Sequence, residues 1–302
     1  MIETLKKSLI PERCYKNSSI FGFYIGQVIG KGAYSKVCVA TRCGTNQKSA
    51  CKIINKNNPV EEFINKFVAR ELAIIRMVKH RNIVKVYKIV EAPSKIYVFM
   101  EFCELGDILE YIKENGPFTE QKTKVLFKQI LDAVHYLHNL GIAHRDIKCE
   151  NIFLSNVNTA KLGDFGFARH CQTKSGKSIL SDTFCGSVAY VPPEMLQKKQ
   201  YDPKKCDVWA LGCVLYIFFF AQMPFDDADT RRMVKDQLNR NVKHLDWCSH
   251  NLGDLLLRIL EPDVHLRITT GQVMRHLWLY SVKCNDKMMN RPFVSLSDSH
   301  LI

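Results

Sequence analysis

Hydrophobic positions along the 302-residue chain change their period part-way. Over residues 24–39 they alternate, as in two strands joined by a glycine-bearing turn, Gly30-Lys-Gly32-Ala-Tyr-Ser35, and residues 49–55 read as a further strand. Phe63, Phe67, Leu72, Ile75 and Val78 recur at helical spacing over 61–78. Residues 83–90 and 95–102 predict two more strands, with a turn at Ala92-Pro-Ser94. After Phe102 the pattern becomes helical. Residues 120–140 form an amphipathic stretch with Thr119 placed as N-cap and Gly141 as stop signal. Residues 152–154 and 160–162 are short strands around a polar loop, and from Pro193 to about Tyr280 the pattern is mostly helical. The last twenty residues are polar and unpatterned. The pattern therefore predicts an α+β chain, a small strand-rich part followed by a larger helical part, joined between Met100 and Gly106.

Length allows one large or two modest domains with a core that needs no disulfide or metal staple. The longest apolar run, residues 208–221, has 14 residues, short of the ~20 that cross a bilayer, so it reads as a buried core helix. The N-terminus carries Glu3 and no apolar signal region, which points to a cytoplasmic protein, with the nucleus as a second location. None of the 12 cysteines forms a Cys-x-x-Cys pair, so they read as reduced core thiols rather than a zinc or redox site. The formal charge of +13 is the unusual number, but the basic residues are scattered and the densest runs, such as Lys198-Lys199 and Arg231-Arg232, are only pairs. A solvated surface accounts for that; no nucleic-acid or membrane partner is expected.

Chemistry concentrates in a few motifs. Gly30 and Gly32, with Ser35 at a third-glycine position, lie on a strand–turn–strand loop, where backbone N–H groups can approach phosphates closely. The loop does not open a helix, which disfavours a dinucleotide fingerprint. Lys52 sits inside an apolar strand and needs an ionic partner, for which Glu71 on the next helix is the natural candidate. The strong signal is His144-Arg-Asp146-Ile-Lys148-Cys-Glu-Asn151, five fixed positions in eight that match a catalytic loop. It is followed by Asp164-Phe165-Gly166, Val191-Pro192-Pro193-Glu194 and Asp207-Val-Trp209-Ala-Leu-Gly212.

In the order and spacing of these pieces, residues 20–282 resemble a eukaryotic protein kinase of the calmodulin-dependent-kinase group. The catalytic-loop form, with the stretches Thr183-Phe-Cys-Gly-Ser187 and Met223-Pro-Phe-Asp-Asp227, is similar to the testis-specific serine/threonine kinase family. The resemblance implies a bilobal protein-kinase fold: extension 1–20, β-rich N-lobe 21–101, helical C-lobe 102–282 and tail 283–302. It also implies ATP and Mg²⁺. Ile29, Gly30, Lys31, Gly32, Ala33, Tyr34, Ser35 and Val37 would cover the nucleotide. Lys52, held by Glu71, would contact its phosphates, and Asn151 and Asp164 would be metal ligands. Met100 would be the gatekeeper, and the backbones of Glu101 and Cys103 would meet adenine. Val37, Ala50 and Phe153 would sandwich the ring; the family more often has leucine where Phe153 stands, which implies a tighter floor. Asp146 would take the substrate's hydroxyl proton and Lys148 would neutralise the transferring phosphate. A lysine two residues after Asp146 is the serine/threonine form. By the same resemblance, Asp207 would bond the catalytic-loop backbone and Glu194 would pair with Arg267.

The resemblance further implies regulation at Thr183, where a phosphate would pair with Arg145 and Arg169 and Ser187 would help position substrate. Asp107 and Glu150 match positions that hold an arginine three residues before the acceptor, whereas a third acid is replaced by Ile217. The plainer alternative confines Asp107 to ribose and Glu150 to solvent. A redox role for Cys185 is the minor alternative to packing. Expected partners are protein substrates with basic motifs and an upstream activating kinase, with the chain itself a monomer. The competing readings are an ATP-binding pseudokinase scaffold and, from the charge alone, a nucleic-acid module.

Overall fold

The computed structural model describes residues 19–32, 35–45, 47–56, 61–173 and 175–280, without the side chains of 61–67. Ala33 and Tyr34, the N-terminal extension as far as residue 18 and the tail beyond residue 280 lie outside the described residues. The chain divides into two compact units, residues 1–65 with 85–102, and residues 66–84 with 103–302.

The first unit is a five-stranded antiparallel sheet in the order β1-β2-β3-β5-β4. Its strands are β1 (Phe23–Lys31), β2 (Ser35–Arg42), β3 (Lys48–Asn55), β4 (Val86–Glu91) and β5 (Lys95–Glu101). Alternation places one set of side chains on a common face. There Phe23 stacks on Phe99 with ring centroids 4.1 Å apart, and Cys38, Ala40, Cys51 and Ile53 complete the buried cluster. Cys38 and Cys51 face each other in register as free thiols; burial, then the neighbouring Cys38, pushes the Cys51 thiol up to about 12.

The fourth strand starts later than the alternation of 83–90 predicts. Ile83 instead forms a parallel bridge with Leu162, and Val84 N–H donates to the Leu162 carbonyl. The backbone bonds of residues 83–84 thus go to the second unit, and apolar alternation carries no information about which sheet edge receives them.

In the second unit, from residue 66 on, lies most of α1 (Glu61–Met77), followed by α2 (Ile108–Asn115) and α3 (Glu120–Asn139). Thr119 caps α3 through its side chain on Lys122 N–H, as the sequence predicts, and Gly141 follows with φ of 70°. Two short ladders come next, β6 (Ile142–Ala143) with β9 (Arg169–His170) and β7 (Ile152–Asn156) with β8 (Thr159–Leu162). The remaining helices are α4 (Pro193–Leu196), α5 (Pro203–Phe220), α6 (Thr230–Leu238), α7 (His250–Ile259), α8 (Thr270–Met274) and α9 (Leu277–Tyr280).

The long apolar run lies in α5, which is buried on every side from Cys206 to Phe220. A Cβ at Gly212 would come within 2.6 Å of Ile259 and 2.8 Å of Leu260, so the missing side chain lets α5 pack against the end of α7. Arg267 and Glu194 form a bidentate pair at 2.7 and 2.9 Å. The guanidinium also donates to the Glu261 carbonyl and lies 4.9 Å from the Trp209 ring. Hydrogen bonds on several sides are what make a buried charge tolerable. No helix among the described residues is long and apolar enough to cross a membrane.

Candidate active site

The loop between β6 and β7 is fixed from below by Asp207, which is 1 % exposed on α5. Its carboxylate accepts the backbone N–H groups of His144 at 2.8 Å and Arg145 at 2.7 Å, and His138 Nε2 lies 2.9 Å away. These bonds hold Arg145 at φ 66°, a left-handed conformation that costs an L-residue about 1–2 kcal/mol. The bend presents Asp146. Asn151 Nδ2 donates to both the Asp146 carbonyl at 2.8 Å and its Oδ2 at 2.9 Å, and Lys148 Nζ stands 3.5 Å from the same carboxylate oxygen. Lys148 also donates to Ser187 Oγ at 2.9 Å. Asp146, Lys148, Asn151 and Ser187 are therefore brought together as the sequence predicts.

His144 links this loop to the segment carrying Asp164. Its Nδ1 accepts from Asp146 N–H and its Nε2 donates to the Gly163 carbonyl at 3.1 Å. Its ring meets Phe165 edge to face at 5.0 Å. Asp164 has φ 52°, a second strained residue at the site. A Cβ at Gly166 would lie 3.5 Å from Asp164 Oδ1 and 3.9 Å from Glu71 Oε2, which places both carboxylates beside that glycine. The Asn151 amide nitrogen is occupied by Asp146, which leaves its oxygen as the end available to a cation. An amide oxygen and the Asp164 carboxylate are the hard donors that suit Mg²⁺.

The first unit contributes the glycine-bearing strand pair and Lys52. Gly32 N–H donates to the Ser35 carbonyl at 2.8 Å, and a Cβ at Gly32 would meet Ser35 Oγ at 3.2 Å. Ile29, Gly30 and Lys31 end β1, with Gly30 paired to Val37 and Lys31 to Lys36. Lys52 is paired with Val37 on one side and Val98 on the other, and Ala50 with Val39 and Met100. Glu101 N–H donates to the Lys85 carbonyl. Lys52 belongs to the first unit, whereas Glu71, buried on α1, belongs to the second. Cys103 is half-buried at the start of the second unit's long segment.

Asp107 has a structural task that the sequence reading did not assign. Its Oδ1 accepts the N–H groups of Leu109 and Glu110 as the N-cap of α2. Burial raises its carboxyl above the ordinary range, against the opposing effect of the backbone N–H groups. An aspartate directly before an apolar helical start was the available signal. Glu150 is not confined to solvent either: it accepts from the Tyr190 hydroxyl at 3.2 Å. Burial, with Cys149 and Glu150 nearby, pushes the Tyr190 hydroxyl well up, which keeps it a donor.

Arg145 Nη1, from the loop between β6 and β7, and Arg169 Nη1 converge on Ser181 Oγ at 3.4 and 3.3 Å. Thr183 is exposed; its hydroxyl donates to Asp182 at 3.5 Å and its carbonyl accepts from Tyr201 at 2.7 Å. Arg70 was missed by the sequence reading. Burial, then the like charges of Arg145 and Arg169, lowers its pKa, so it is near enough to feel both. Cys185 is buried, its thiol is raised by burial, and it lies 3.7 Å from the Tyr201 hydroxyl. Those properties belong to a packed thiol rather than a redox-sensitive one.

Catalytic-loop aspartate, lysine and asparagine in one hydrogen-bonded group, with a second strained aspartate tied to them through His144, define a phosphotransferase site of the protein kinase type. Residues 23–279 match the protein kinase domain family, and the chain belongs to that family and is a protein serine/threonine kinase. It is 46% identical over 264 residues to mouse testis-specific serine/threonine-protein kinase 3, covering 86% of this chain and 97% of that one. It is 41% identical to mouse testis-specific serine/threonine-protein kinase 2, covering 87% and 74%. A rice CBL-interacting protein kinase 5 is 32% identical, covering 92% and 60%.

Proposed function

We propose that this kinase transfers the ATP γ-phosphate to serine or threonine in proteins that carry a basic residue three before the acceptor, and that phosphorylation at Thr183 activates it. The observation that supports the catalytic part best is the group around Asp146. Its carboxylate is oriented by Asn151, with a cation at 3.5 Å. In that geometry Asp146 takes the proton of the acceptor hydroxyl, whose oxygen attacks the γ-phosphorus as ADP leaves. Lys148, already bonded to Ser187, carries charge complementary to the equatorial phosphate oxygens. Asn151 and Asp164 would hold Mg²⁺, which supplies charge neutralisation at the phosphates when bound. Lys52, with Glu71 as partner, positions the nucleotide. Val37, Ala50, Phe153 and Met100 shape the adenine site, and the backbones of Glu101 and Cys103 bond the base.

Arg145 and Arg169, which meet at the Ser181 hydroxyl, are guanidinium groups of the kind that receives a phosphate, and Arg70 is close enough to feel the charge of both. Thr183, exposed and two residues from the Ser181 hydroxyl that now meets Arg145 and Arg169, is the nearest accessible acceptor. For substrate choice, Glu150 and Asp107 are the acids available, and neither is consumed by a salt bridge among the described residues. The non-catalytic scaffold reading is disfavoured because Lys52, Glu71, Asp146, Asn151 and Asp164 are all present. A cytoplasmic, monomeric enzyme acted on by an upstream kinase is part of the same proposal; its expression in male germ cells is the part that the testis-specific names of its relatives support. The test is a serine-peptide array in which the arginine three before the acceptor is replaced by alanine. At least a tenfold drop in phosphate incorporation is expected, and no drop would refute the substrate reading.

A further inference from the structure

Gly163 has no conformational reason to be glycine. Its φ is not in the left-handed region, unlike Gly141 or Gly186. Its backbone is fully engaged: the N–H donates to the Asn151 carbonyl at 2.9 Å, and the carbonyl accepts from His144 Nε2 at 3.1 Å. What glycine supplies here is space. A Cβ at this position would lie 2.8 Å from Cε2 and 3.1 Å from Cδ2 of Phe153, and 3.2 Å from Cγ2 of Val84. Ordinary van der Waals contact starts at 3.4 Å, so the ring edge stands more than half an ångström inside it. Val84 supplies the third close atom, so a side chain at 163 would be crowded by two residues at once.

Phe153 is itself constrained. It sits in β7 opposite Lys161, and its backbone bridges Asp107. Its half-buried ring is the movable partner. Any atom added at 163 therefore displaces the ring from the Gly163 backbone. We infer that Phe153 and Gly163 are a size-matched pair, in which the absent side chain at 163 admits the aromatic ring, and that Gly163 thereby determines the shape of the nucleotide site from beneath. This rests on the proposed place of Phe153 in the adenine floor. Gly163 is a positioning residue: it touches no substrate, but it sets where the Phe153 ring lies and directly precedes Asp164. A consequence follows for ligand choice. A phenyl ring is planar, whereas a leucine side chain is branched and would make a bumpier floor. Planar bases stack well on the first.

The experiment is a double-mutant cycle on the full chain with Gly163→Ala, Phe153→Leu and both together. KM for ATP, kcat and ADP affinity by calorimetry would be measured for each variant. Gly163→Ala is expected to raise KM for ATP and weaken ADP binding by about tenfold, on the scale at which overpacking is felt. Made in the Phe153→Leu background, the same Gly163→Ala change should cost less than about threefold, because the smaller floor residue frees the space. Gly163→Ala with unchanged ADP affinity, or a cost of Gly163→Ala as large in the Phe153→Leu background as in the wild type, would overturn the pairing. If Gly163→Ala does not fold, recovery of a cooperative melt in the double variant supports the pairing, and failure to recover overturns it. The underlying floor assignment fails separately: Phe153→Ser with unchanged ADP affinity would take Phe153 out of the nucleotide site and the inference with it.

Discussion

Replacing Asp207 by alanine probes how the catalytic loop is held. The wild-type carboxylate accepts from His144 N–H at 2.8 Å, Arg145 N–H at 2.7 Å and the His138 imidazole at 2.9 Å. All four residues are at most 7 % exposed. Without the carboxylate, two backbone donors are stranded in the core, and each stranded buried donor costs about 1–3 kcal/mol. Backbone alone thus predicts a loss of about 2–6 kcal/mol, a large part of the roughly 5–15 kcal/mol that keeps a typical domain folded. The left-handed Arg145 would relax as well, and Asp146 with it. Asp207→Asn keeps one acceptor but turns an NH₂ toward the other amide, so it should fall between alanine and wild type. Urea unfolding followed by tryptophan fluorescence is well placed to read this, because Trp209 lies in the same helix. A midpoint for Asp207→Ala that corresponds to less than about 0.5 kcal/mol of destabilisation, the range of ordinary surface changes, would refute the reasoning.

Two further outcomes follow from the same geometry. Thr183→Ala should lose most activity, read as phosphate incorporation into a serine peptide, because no phosphate at that position could pair with Arg145 and Arg169; near-full activity would contradict that role. His135 accepts from Asn139 Nδ2 at Nε2 and meets Thr270 Oγ1 through Nδ1, an arrangement that needs the neutral ring. Burial, then the neighbouring His138, lowers its pKa below the ordinary 6.5. A lowered folded-state value means the contribution is complete above the unfolded-state pKa and is lost as pH falls through the folded value. The melting temperature should therefore fall as pH drops from 7 towards 5, less steeply in His135→Gln; identical slopes would contradict this origin.

Legibility in the sequence depended on how local the chemistry was. Asp146, Lys148 and Asn151 lie within six residues, so the motif that carries them was plain in the sequence, and the structure adds the bonds between them. The helix over 120–139 with its Thr119 cap was equally plain, because cap and period are local signals. Other features depended on contacts distant in sequence. Nothing near Ile83 shows that its backbone partner is Leu162. The fit of Phe153 against Gly163 is a matter of volume between two positions ten residues apart. Arg70 stands one residue before Glu71, yet only folding brings it to Arg145 and Arg169. Asp107 was assigned to ligands alone, although its cap on α2 was readable from the residues that follow it. The +13 charge, read from the sequence as a solvated surface, also includes Lys52, Lys148, Arg145 and Arg169, to which the site gives work.

The account stands most directly on one measurement: transfer of the γ-phosphate from Mg·ATP to a serine peptide by the purified chain, beside the Asp146→Asn variant. The wild type should phosphorylate the peptide, and Asp146→Asn should be slower by about 10²–10⁴-fold, the usual loss when a positioned general base is removed, while still binding nucleotide. Equal rates for the two proteins, or no transfer by either under conditions in which both are folded and bind ATP, would contradict it.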